Sequence, residues 1–150
     1  MKKILITGAQ GYIGTVLLNY LFKKNKYDIL ATDSGLYEDC YHGDYSDPIK
    51  ILKSDIRHFD ATLLNNIDTV VHLAAVCNDP IGNFNSEITH DINVNGTLKL
   101  AQNAKKNGVR KFIFSSSCIM YGASDNSIVN EDSPLDPKTA YAKSKVIAEI

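Results

Sequence analysis

A chain of 150 residues, 44% of them hydrophobic, is long enough to bury a core and fold as one globular domain without a metal or disulfide staple. With 16 Lys and Arg against 17 Asp and Glu, the formal net charge is -1, which excludes the broad basic surface of a general phosphate-backbone binder; no nucleic-acid partner is expected. No apolar run approaches the ~20 residues that cross a membrane, and the opening Met1-Lys2-Lys3-Ile4-Leu5-Ile6 stops at Thr7-Gly8, too short for a secretory signal. Cys40, Cys77 and Cys118 are far apart, odd in number and without C-x-x-C spacing, so they read as free thiols in a reducing, cytoplasmic setting.

In chain order, Lys3 to Thr7 reads as a buried strand that stops at a glycine. Ile13, Val16, Leu17, Tyr20 and Leu21 then recur at helical spacing, and the helix runs out in Lys23-Lys24-Asn25-Lys26. Asp28 to Thr32 is a second strand, Ser34 to Pro48 a polar loop, and Ile49 to Lys53 a third strand. Phe59, Leu63, Leu64 and Ile67 suit a short helix, and Asp68 to Leu73 a fourth strand. A long helix is expected over about Glu87 to Lys106 with Asn107-Gly108 as its stop, then a fifth strand at Lys111 to Ser115, then a helix from Tyr141 to Ile150. Strands and helices alternate, and the strands are near-continuously apolar. That pattern gives an α/β fold, a doubly wound parallel sheet with helices on both faces. Ligands on such sheets bind at the carboxyl ends of the strands.

Gly8, Gly11 and Gly14 are spaced G-x-x-G-x-x-G between the first strand and the first helix. Gly8 suits a tight turn, Gly11 the approach of a pyrophosphate, and Gly14 close packing of helix on strand. The helix N-terminus behind them offers N–H groups and partial positive charge to an anion. There is no Gly-Lys-Ser/Thr, so a nucleoside triphosphate loop is not expected. Asp33, 19 positions after Gly14, can accept both hydroxyls of an adenosine ribose and repel a 2′-phosphate, which favours NAD over NADP; the alternative is a turn-capping role. Asp55 can accept the adenine amino group while Ile56 packs on the ring, or cap the next helix, and the two roles are compatible. Arg57 reads as a surface cation.

Tyr141 and Lys145 form Y-x-x-x-K, four positions apart and so on one helix face. A phenol with its ordinary pKa near ~10 is a poor base. An ammonium about 4 Å away at an effective dielectric near ~20 offers ~4 kcal/mol of gross attraction to the phenolate, and is expected to lower that pKa. Ser115-Ser116-Ser117 ends the fifth strand; Ser117 is the choice for a hydroxyl on the substrate oxygen, Ser116 for satisfying backbone. No His or acid is placed to turn these serines into nucleophiles. His72 reads as structural and His90 as a surface or interface residue. Tyr37, Tyr41 and Tyr45 with Cys40 and His42 supply too few ligands for a metal, and none is expected.

Taken together, Thr7 to Gly14, Asp33, Asp55 to Arg57, His72-Leu73-Ala74-Ala75, Asn93 to Thr97, Phe114 to Ser117 with Tyr121-Gly122, and Tyr141 to Lys145 resemble, in the same order, the extended short-chain dehydrogenases/reductases of the NAD-dependent epimerase/dehydratase family. The resemblance implies a Rossmann-type sheet, a tightly held NAD and a nucleotide-sugar substrate. It implies that Gly8, Gln10, Gly11, Tyr12, Ile13 and Gly14 form the cofactor loop, that Leu73, Ala74 and Ala75 line the NAD, and that Asn93 to Thr97 are structural. Tyr141 would be the base and also contact the cofactor, Lys145 would hold the nicotinamide ribose, and Ser117 the substrate hydroxyl. It further implies a homodimer through the long helix and the Tyr141 helix. Dehydratases of the family carry Thr-Asp-Glu after the serine strand; here Ser117 is followed by Cys118-Ile119-Met120, so dehydration is disfavoured. The Ser117 to Gly122 stretch is more similar to the UDP-galactose 4-epimerase group, although Cys77-Asn78-Asp79-Pro80 stands where many of those have a Lys.

The expected activity is therefore NAD-dependent sugar-nucleotide epimerisation by transient hydride transfer through a keto-sugar. The alternatives are net keto-sugar reduction or oxidation by the same residues, and a non-catalytic NAD-binding regulator or inactive fragment. Residues 1–150 are expected to be an NAD-binding domain, the N-terminal part of a longer protein without its C-terminal substrate domain, because the last helical pattern reaches Ile150 without a stop signal.

Overall fold

Short runs of β-branched and aliphatic residues form five strands: β1 (Lys2–Thr7), β2 (Tyr27–Asp33), β3 (Ile51–Lys53), β4 (Thr69–His72) and β5 (Lys111–Phe114). The computed structural model describes residues 1–37, 50–77, 79–123 and 128–150. Cys40, Tyr41, His42, Tyr45, Ile49, Asn78 and the expected loop from 38 to Pro48 lie outside the described residues. The chain forms two compact units, Met1–Ala74 with Lys99–Ser115, and Ala75–Leu98 with Ser116–Ile150.

The first unit holds the sheet. All pairings are parallel, in the order β3-β2-β1-β4-β5, so the chain winds outward from β1 in one direction and then in the other. This is the doubly wound Rossmann-type order, and its reversal lies between β1 and β4. Register places Thr7 opposite both Thr32 and His72, so the carboxyl ends of β1, β2 and β4 are level. Side chains alternate across β1. Leu5 joins Phe59, Leu64, Ile67, Val70, Leu100 and Ala104 on one face, whereas Ile4 and Ile6 join Ala9, Leu18 and Ala31 on the other. Both faces are thus covered, one by α1 (Tyr12–Lys24) and one by residues of α4 (Thr97–Lys106). Burial of each such aliphatic side chain is worth about 1.5–3 kcal/mol.

Several expectations are corrected. Ile13, Val16 and Tyr20 of α1 are exposed; the core-facing residues are Gly14, Thr15 and Leu18, with Leu17 and Leu21 packed beside them. Gly14 decides the rotation, because the helix lies closest where no Cβ intervenes. The short helix after β3 is two 3-10 turns, Ile56–His58 and Ala61–Leu64, each capped by an aspartate side chain, Asp55 and Asp60.

In the second unit, a six-residue helix the sequence reading missed, α2 (Asp79–Phe84), precedes α3 (Ser86–His90). Pro80 and Gly82 disguised it, although a proline in a first turn forfeits no helical hydrogen bond. The expected long helix starts on time but is divided: α3, a π-helical segment Asp91–Gly96, and α4. It ends as expected, with Gly108 N donating to Lys105 O and Val109 N to Ala104 O. The last helix, α5 (Ala140–Glu149), is started by Thr139, whose hydroxyl accepts from Ala142 N at 3.1 Å. Among the described residues no helix is long and apolar enough to cross a membrane, and no group of three or more His, Cys, Asp or Glu is placed to hold a metal.

Candidate functional site

The glycine turn after β1 is built by close approach. Gly8 has φ +71°, and a Cβ on it would stand 2.6 Å from Ala74 N and 2.8 Å from Leu73 C. The expected cofactor-lining residues Leu73 and Ala74 therefore lie directly against the turn, and Leu73 N donates to Thr7 O. A Cβ on Gly14 would meet the backbone of the turn at Gly8 O and, at 2.7 Å, Ala9 O, which only a glycine avoids. At Gly11 the surroundings are open: its Cβ would touch only Gly8 O, at 3.4 Å. Gly11 is the N-cap of α1, no side chain caps that end, and no acid occupies its first turn. Tyr12 and Ile13 open the helix and are exposed. The arrangement fits a diphosphate: an open glycine, an uncapped helix N-terminus and no repelling carboxylate in that turn.

Asp33 is 9% exposed, and its two carboxylate oxygens accept from Gln10 N and Gly35 N, both at 2.9 Å. Asp33 thus ties Gln10 of the loop to the end of β2 and also caps its own turn. Each oxygen retains a second lone pair for a hydroxyl donor. Asp55 caps the 3-10 turn through Arg57 N, and Arg57 also forks onto both of its oxygens, at 2.6 and 3.1 Å. Arg57, expected as a surface cation, is part-exposed and paired with Asp55; its guanidinium holds the Asp55 carboxyl below the usual range. Ile56 is buried. His72 is structural, with Nδ1 2.6 Å from Thr7 Oγ1 and its ring against Phe112 and Phe114; His90 is exposed.

Ala75, Ser117, Tyr141 and Lys145 belong to the second unit. Three of them cluster. The Ser117 hydroxyl is near enough to pull the pKa of the Tyr141 phenol down, and Lys145 Nζ lies 5.5 Å from the centroid of the Tyr141 ring. Ser117 also caps the 3-10 turn Cys118–Tyr121 through Ile119 N, while Ser116 donates to Glu149 instead of satisfying backbone. Lys145 is buried at 4% exposure, and desolvation brings its ammonium down to about 8. The phenol of Tyr141 is held above its ordinary value, first by burial, then by Cys77, Asp79 and Cys118, with the Ser117 hydroxyl pulling the other way. This corrects the expectation of a phenol already lowered by its lysine. Lys145 is buried and Tyr141 half-buried, and loss of water disfavours the charged form of each.

What holds the cluster in place was only partly legible. Asn93, in the π-helical segment, accepts from Val76 N at 2.8 Å and donates to Val76 O at 3.0 Å and Ser144 Oγ at 2.9 Å. Ser144 in turn donates to Tyr141 O at 2.7 Å. One amide thus joins the chain beyond Ala75 to the helix that carries the tyrosine and lysine. The wide turn of a π-helical segment is a common way of re-aiming such a side chain. Asp79 was missed as a neighbour of the phenol; its only sequence signal was its place in the Cys77 to Pro80 stretch.

A model of the NAD dependent epimerase/dehydratase family matches residues 4–150. The chain is 32% identical over 155 residues to a UDP-glucose 4-epimerase of Mycolicibacterium smegmatis, covering 99% of this chain and 49% of that protein. Among solved structures, the UDP-N-acetylglucosamine 4-epimerase of Methanobrevibacter ruminantium superposes with a TM-score of 0.86 at 28% identity, over 99% of this chain and 48% of that one. The NAD-dependent NDP-hexosamine 5,6-dehydratase TunA superposes with a TM-score of 0.88 at 29% identity, over 99% and 48%. The chain therefore spans about half the length of the relatives it matches.

Proposed function

The chain belongs to the NAD dependent epimerase/dehydratase family, whose cofactor is NAD, and we propose that within it the protein is a sugar-nucleotide epimerase. In this reading the loop from Gly8 to Gly14, with Gln10, Tyr12 and Ile13, holds the diphosphate of NAD. Asp33 holds the adenosine ribose, Asp55 and Ile56 border the adenine, and Leu73 to Ala75 line the cofactor. Bound NAD supplies a reversible two-electron acceptor for a sugar carbon. Tyr141 takes the proton of the sugar hydroxyl and returns one when the keto-sugar has presented its other face. Ser117 orients that hydroxyl beside the phenol. Lys145, charged below about pH 8, offsets the phenolate that burial opposes and is the group for the nicotinamide ribose.

The observation that carries this reading is the contact of Ser117, Tyr141 and Lys145 in one cluster. The turn after Ser117, Cys118–Tyr121, contains no acid that could protonate a leaving hydroxyl, which favours epimerisation over dehydration. Pairing of two copies through the long helix, from α3 to α4, and α5 is carried as part of the proposal, to be read from oligomeric state; Ile88, Leu98 and Ile147 are exposed large apolar residues on those helices.

Tyr141→Phe removes the proton acceptor with little change of shape. General acid–base catalysis is worth about 10²–10⁴-fold, so the variant should lose at least about 100-fold in kcat for interconversion of UDP-glucose and UDP-galactose while NAD affinity stays within about twofold. Near-wild-type turnover would refute the mechanism. Stoichiometric consumption of reduced cofactor would instead identify a reductase.

A further inference from the structure

Asp79 opens α2, three and four positions before Gly82 and Asn83, so the three share one face of that helix. This face meets the start of α5: Asn83 Oδ1 accepts from Ala140 N at 3.0 Å, and a Cβ on Gly82 would lie 3.9 Å from Tyr141 Cβ. Asp79 Oδ1 is buried and has no hydrogen-bond partner among the described residues. The other aspartates that shape local structure are supplied with donors: Asp33, Asp55, Asp60 and Asp68 each accept a backbone N–H. Asp79 Oδ1, at the first position of α2, has no such donor among the described residues. A buried acceptor without a donor carries an uncompensated desolvation penalty, and the charge it adds beside Tyr141 opposes formation of a phenolate. Neither feature helps the fold or the base. Both are accounted for if the missing donor arrives with a ligand.

We propose that Asp79 accepts a hydrogen bond from a second hydroxyl of the substrate sugar, beside the hydroxyl that Tyr141 deprotonates, and so helps decide which sugar is accepted. The inference rests on the reading of the protein as a sugar-nucleotide epimerase. A carboxylate oxygen with no donor among the described residues recognises a hydroxyl by the cost of its absence. An analogue lacking that group leaves the oxygen as orphaned as before, a difference on the order of 10- to 100-fold in affinity.

The test is a coupling measurement by titration calorimetry on the NAD-loaded protein, with UDP-glucose and its 2-, 3- and 6-deoxy analogues as probes. One analogue should bind the wild type about 10- to 100-fold more weakly than UDP-glucose does, yet bind Asp79→Ala as well as UDP-glucose binds that variant. The other analogues should be penalised equally in both proteins. Asp79→Asn keeps one acceptor oxygen without the charge and should retain part of the coupling; it also serves as the reading if the alanine variant fails to fold, which thermal melting reports. Binding of UDP-glucose with no coupling to any hydroxyl overturns the role of Asp79 and leaves the epimerase reading standing. A protein that binds none of the UDP-sugars overturns both.

Discussion

Replacing Lys145 by Met should make the protein more stable and less active, and the gain in stability should depend on pH in a way only this lysine explains. Folding brings the Lys145 ammonium down from 10.5 to about 8, by burial. A group whose folded pKa lies below its unfolded one is a burden wherever it is charged in both states. That burden is fully present below pH 8 and is relieved as pH rises from about 8 to 10.5, where the unfolded chain holds a proton the folded one has released. The size follows from the shift: about 3 kcal/mol at neutral pH. Met keeps the unbranched stem and removes the charge, but it also forfeits the interactions of the ammonium, on the order of 1 kcal/mol. The variant should therefore be about 2 kcal/mol more stable than the wild type in urea unfolding at pH 7, and the difference should vanish or reverse by about pH 10.5. Comparing two proteins that differ at one position cancels the titration of every lysine and tyrosine that does not touch it. An advantage that stays constant across this range, or a variant less stable at pH 7, would refute the claim that a desolvated charge is stored at this position. Turnover should fall in parallel, since the cation opposite the phenolate is gone.

Two further substitutions probe the parts of each unit. Gly14→Ala drives a methyl into the backbone of the turn at Ala9 O, and should lower stability by about 1–3 kcal/mol and NAD affinity by at least about tenfold; melting and cofactor titration report both, and wild-type affinity would exclude the close-packing role of this glycine. Asn93→Ala strips partners from Val76 N, Val76 O and Ser144 Oγ together, and should cost about 2–4 kcal/mol in urea unfolding; a loss under 1 kcal/mol would show that the three bonds are replaced by water.

What the sequence disclosed and what it withheld divide along a physical line. Strand positions, the glycine turn and the Tyr141-to-Lys145 spacing were legible because each is a local pattern: apolar runs bounded by glycine, φ above zero at Gly8, two side chains four apart on a helix. Even there the pattern misled once. The apolar residues Ile13, Val16 and Tyr20 of α1 have helical spacing yet face outward, because closeness at Gly14, not hydrophobicity summed over the helix, orients it. The features that set the chemistry were illegible for the opposite reason. Asn93 reaches 51 positions along the chain to Ser144, and Asp79 comes to bear on a tyrosine 62 positions away through the packing of a helix that Pro80 and Gly82 concealed. The pKa of Tyr141 shows the consequence. From spacing alone one cation and one phenol appear, and the sum predicts a lowered pKa; in the folded chain the same spacing is accompanied by desolvation and by Cys77, Asp79 and Cys118, and the sign reverses. A motif can announce which groups will meet. Whether their charges are stabilised is decided by how much water the fold removes from them, and that quantity is carried by residues scattered across the chain.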